Sequence, residues 1–189
     1  VVRIELQLAE TAGWRALLTL AQQGAQTFLS EALEEYVVAL LFRSLGSAAN
    51  GTGMRTARFA RQLVAGTQAN SQDLVSVGDH CLLFAGLFPE HAIRQRIPVT
   101  YFVHVGQQAF RDYAARIEGA ERDLYRELAT HYVRILDVFL TMREATEEGP
   151  FLDGLNAYQL WREAGSVHGW QVLRQLTPAL PASATFAQH

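Results

Sequence analysis

Residues 77–89, Val-Gly-Asp-His-Cys-Leu-Leu-Phe-Ala-Gly-Leu-Phe-Pro, are apolar all round a helix except at Asp79 and His80. A helix that is hydrophobic on every side belongs in the middle of a fold. A carboxylate or imidazole carried into that interior needs a partner there. The stretch therefore predicts a buried central helix, over roughly residues 70–88, and marks the place where polar chemistry is forced on the core.

The rest of the chain is organised to surround such a helix. Apolar residues recur at helical spacing almost throughout, and β-branched alternation is nearly absent. Residues 11–23 read as one helix and 30–45 as another; the second has Ser30 as cap, Glu31, Glu34 and Glu35 in its first turn, and Gly46 as its stop. Residues 47–53 are a loop by composition, and a helix is expected from Met54 to about Ala65. Pro89 bends or ends the central helix, and Pro98 starts the next, which runs to about Ile117. One long helix is expected from Ala120 to Glu144, followed after Gly149-Pro150 by short helices near 152–163 and 166–176. In the first ten residues Ile4, Leu6 and Leu8 alternate with polar neighbours, as in a strand, but a lone strand has nothing to pair with. The expectation is an all-α, single-domain bundle of about seven helices over residues 1–189, with 1–10 and 178–189 peripheral or loose.

Composition narrows the function classes. The net charge of −3 gives no basic footprint for general nucleic-acid binding. No apolar run is long enough to span a bilayer, no signal peptide is visible, and the single cysteine, Cys81, suits a reducing cytoplasm. All sixteen basic residues are arginine, which fits codon bias in a GC-rich genome. Without lysine there is no Schiff-base or pyridoxal-phosphate chemistry and no P-loop of the usual type. Gly-x-Ser-x-Gly, His-Glu-x-x-His, Cys-x-x-Cys and Glu-x-x-His are all missing, so no local catalytic or metal motif and no cofactor is predicted.

Three sets of residues remain as candidates. Asp79 and His80 have no ionic partner on their own helix. The following helix offers a polar arc of Thr100, Tyr101, His104, Gln107, Gln108 and Arg111, and Gly78, Gly86 and Gly106 would let the two helices close up. Asp79, His80, Tyr101 and His104 are accordingly predicted to form a ligand-binding pocket between them. The competing arrangement pairs Asp79 with an arginine or a helix end and leaves His80 merely packing. Glu127 and His131, at i and i+4, suit an acid orienting an imidazole, or simply an exposed helix pair. Arg55, Arg58 and Arg61, with Arg94 and Arg96, suit an anion or a solvated face. Trp161 and Trp170 suit the core or a dimer contact.

Four stretches, taken in order, resemble a family of uncharacterised all-helical bacterial proteins. They are Tyr36-Val-Val-Ala-Leu-Leu, the 77–88 segment above, Thr100-Tyr-Phe-Val-His-Val-Gly-Gln-Gln-Ala-Phe, and Glu127-Leu-Ala-Thr-His-Tyr-Val-Arg-Ile-Leu-Asp-Val, within residues 30–176. In that pattern a Leu-Gly-Asp leads the central helix and a Tyr-Tyr with a following Gly sits in the next. Here Val77 replaces the leucine and Tyr101-Phe102 the tyrosine pair. The resemblance implies an all-helical fold, supplies no activity, and singles out Asp79 and Gly106.

The expected function is a non-catalytic helical module, bacterial and cytoplasmic, that binds a protein partner or a small ligand, with a homodimer as one form. The alternative is an enzyme or metal-binding protein with a dispersed site drawn from Asp79, His80, His104, Glu127 and His131.

Overall fold

The computed structural model describes residues 2–46, 71–94, 96–146 and 152–176. Among these the chain is all-α, with no strand. The helices are α1 (Val2–Gly24), α2 (Glu31–Gly46), α3 (Ser71–Gly86), α4 (Pro89–Arg94), α5 (Val99–Ala114), α6 (Gly119–Thr130), α7 (Tyr132–Thr146), α8 (Gly154–Gln159) and α9 (Val167–Leu176). A π-helical turn, Leu160–Ala164, joins the end of α8 to the loop before α9.

The central helix is α3. Leu82 and Ala85 are wholly buried, and Val77, Cys81, Leu83 and Phe84 nearly so, with Val75 partly buried against the same core. It runs against α5 along most of its length and against α7 on another side, while α1 packs on α7 and α2. Leu87 follows α3, and its carbonyl accepts from Arg143 Nη1 at 2.7 Å, which ties the end of the helix to α7. Pro89 then occupies the first position of α4, where its missing N–H costs nothing.

Glycines set how closely these helices approach. A Cβ at Gly78 would lie 2.2 Å from the Phe110 ring, one at Gly86 2.5 Å from Phe139 Cβ, and one at Gly106 1.9 Å from the Tyr132 hydroxyl. Gly78 and Gly106 thus close the α3–α5 contact as expected, whereas Gly86 serves the approach of α7.

The second helix begins as its sequence says. Ser30 Oγ accepts from the Leu33 amide at 3.4 Å, and Glu31 and Glu34 sit in the first turn. Buried Gln22 fixes the turn before it, donating to Glu34 at 2.7 Å and accepting from the Leu29 amide at 2.7 Å.

Residues 2–10 are helical and continuous with α1, so the alternation there does not make a strand. Ile4 and Leu8 are four apart as well as alternating with Leu6, so five residues satisfy both periods, and only the helical one continues. The long helix expected over 120–144 is broken at His131, whose φ of −99° and ψ of 15° end α6. Thr130 Oγ1 donates back to the Arg126 carbonyl at 2.8 Å, a bond that bends helices where it occurs. The helix expected at 54–65 lies outside the described residues.

Candidate functional site

The polar centre of the bundle is Asp79, but it faces a different helix from the one the sequence suggests. The Tyr36 hydroxyl of α2 donates to Asp79 Oδ1 at 2.5 Å, and Arg43 Nη2 donates to Oδ2 at 3.3 Å. Tyr36 and Arg43 lie seven residues apart on α2, two turns along one face, so a single helix delivers both partners. The Asp79 side chain is 13% exposed and that of Arg43 is 56% exposed, so the guanidinium closes the site from the solvent side.

Aromatic rings wall the carboxylate in. Tyr36 meets Phe110 and Tyr125 edge-on, at 6.2 and 5.8 Å between centroids, and Phe110 packs on Tyr132 at 5.8 Å. Tyr132 is fully buried and its hydroxyl donates to the Gly78 carbonyl at 3.2 Å, one residue from Asp79. In this setting burial pushes the Asp79 carboxyl up to about 6, with the Tyr36 hydroxyl and Arg43 pulling the other way. Burial and the Asp79 charge together push the Tyr36 phenol far above its ordinary range, so it is a hydrogen-bond donor and not a source of phenolate. Burial also pushes the Cys81 thiol up to about 12, which makes it an inert thiol.

Because the Tyr36 hydroxyl stabilises the ionised form, Tyr36→Phe is expected to raise the Asp79 pKa above about 6. Carboxyl-carbon NMR titration measures this directly. An unchanged or lower value would show that the phenol does not hold the charge.

The structure does not gather the four predicted pocket residues. Asp79 turns to α2, where a phenol and an arginine satisfy both of its oxygens. His80 is half-buried and hydrogen-bonds to the Ser76 backbone of its own helix, and burial lowers its pKa. His104 is exposed on α5. Tyr101 packs edge-on against Phe102 and lines an apolar groove of about 220 Å³ between α3 and α5, with Leu74, Val77, Val105 and Ala109. Gln107 donates to the Ala129 carbonyl of α6 at 3.1 Å, whereas exposed Gln108 donates to Asp112 of its own helix at 2.7 Å.

Glu127 and His131 also take separate roles. Glu127 Oε1 accepts from Ser30 Oγ at 2.6 Å, joining α6 to the cap of α2, while His131 occupies the break between α6 and α7. Arg55, Arg58 and Arg61 lie outside the described residues; Arg94 and Arg96 are exposed.

A second buried polar cluster escaped the sequence. Asp137 of α7, 4% exposed, accepts from Ser166 Oγ at 2.5 Å and from the Val167 amide at 2.9 Å. Ser166 Oγ in turn accepts from the Gly169 amide at 2.9 Å. The carboxylate therefore lies at the positive end of α9 and satisfies one of its free donors. His168, 3% exposed, reaches Glu144 at 3.1 Å and Thr141 at 3.4 Å. Ser166 is wholly buried, and through these bonds the cluster clasps α9 on α7. In the sequence Asp137 shares a helix side with Arg134 and Thr141, opposite Ile135 and Phe139, so nothing marked it as buried.

Among the described residues, no group of three or more His, Cys, Asp or Glu is placed to hold a metal ion. No described helix is long and apolar enough to cross a membrane. No family model, curated protein or solved structure matches the chain.

Proposed function

We propose that the protein is a non-catalytic helical module that binds a protein partner, and that the partner is a second copy of itself. The reading extends to a bacterial, cytoplasmic protein, supported by the all-arginine basic set and the single thiol. The observation that carries it is the distribution of exposed apolar side chains. Five large ones are exposed among the described residues, and three of them, Leu155, Tyr158 and Leu176, belong to α8 and α9. The Tyr158 ring meets half-buried Trp161 edge-on at 5.9 Å, and Trp161 packs on Trp170 at 4.9 Å. The end of α9 lies on the start of α8, with Leu176 Cδ1 at 3.8 Å from where a Gly154 Cβ would sit. The two helices thus form one corner rich in the aromatic residues that anchor interfaces. Asp79 and Asp137, by contrast, are engaged inside the bundle, which supports binding over chemistry.

Sedimentation velocity tests this reading. The wild type is expected to be a dimer at tens of micromolar, and Leu155→Glu with Tyr158→Glu a monomer. The loss is expected to be on the order of 100-fold in affinity, with helicity unchanged and the concentration dependence of the wild-type melting temperature lost. A wild type that stays monomeric over that concentration range would overturn the proposal. Metal analysis and a visible spectrum of the purified protein address the competing enzyme or metal reading, which either stoichiometric metal or a chromophore would favour.

A further inference from the structure

We draw no further inference here: the strongest candidate, the apolar groove of about 220 Å³ between α3 and α5 lined by Leu74, Val77, Tyr101, Val105 and Ala109, is an unpartnered face, and nothing in the structure shows what covers it.

Discussion

Gly106→Ala is expected to lower stability by about 3 kcal/mol, at the upper end of what overpacking a filled core costs. In a chain of this size that corresponds to a fall in melting temperature of roughly 6–12 °C. The added methyl would lie 1.9 Å from the Tyr132 hydroxyl, 2.5 Å from its Cζ and 2.9 Å from Cys81 Cβ. None of these atoms is the free end of a flexible chain. Tyr132 is wholly buried and held at Gly78, and Cys81 Cβ moves only with α3 itself. Relief therefore requires α5 to move away from α3 and α7, at the expense of contacts made by Phe102, Val103 and Phe110. A double-mutant cycle distinguishes this from a loss of helix geometry, since alanine is the better helix former. Tyr132→Phe alone gives up one hydrogen bond, about 1 kcal/mol. In the Gly106→Ala background the same change removes the most crowded atom, so the two costs are expected to be less than additive in thermal or urea unfolding. Strict additivity would show that Gly106 is not needed for the close approach.

The second large effect is on pH. Burial pushes both Asp79 and Asp137 up to about 6 from the ordinary 3.8, against the hydrogen bonds and charges that favour their ionised forms. Folded protein therefore keeps two protons that the unfolded chain gives up on passing pH 4. The stabilisation from each is fully present below about pH 4 and is lost as pH rises through about 6. A shift of that size corresponds to on the order of 3 kcal/mol per group. Asp79→Asn and Asp137→Asn should each remove one such dependence, so the wild type should lose stability relative to either variant between about pH 4 and 6.5. Urea midpoints measured across that window are the test. Wild-type and variant curves that stay parallel would mean that neither carboxyl titrates high. Since the comparison is of differences, ordinary surface carboxylates cancel from it.

How far the sequence reaches is clearest at Asp79. Its burial and its need for a partner follow from the apolar residues around it, and so does the competing prospect of an arginine. The helix supplying that partner does not follow. Tyr36 and Arg43 share a face of α2 with no feature that aims them at α3, and they are separated from Asp79 by 43 and 36 residues. Spacing along one helix is a local quantity, whereas the choice between α2 and α5 is made by the packing of the whole bundle. Ends of helices were more legible, because Ser30, Pro89 and Pro98 act on their immediate neighbours. The break at His131 was less so, since Leu128, Tyr132, Ile135 and Phe139 keep helical spacing straight through it. Gly106 stood out through its lack of a side chain. That it accommodates the Tyr132 hydroxyl, from a third helix, needed coordinates.

The two indoles near the C-terminus give the molecule a built-in optical reporter. Trp161 and Trp170 lie 4.9 Å apart with their planes inclined by 34°, close enough for their excited states to couple and produce a paired circular-dichroism band. Trp14, on α1, has no part in that pair. Loss of the paired band while helical ellipticity persists would signal that α9 had separated from the π-turn. The same protein, without a label, can therefore show whether its final hairpin opens before the rest of the bundle unfolds.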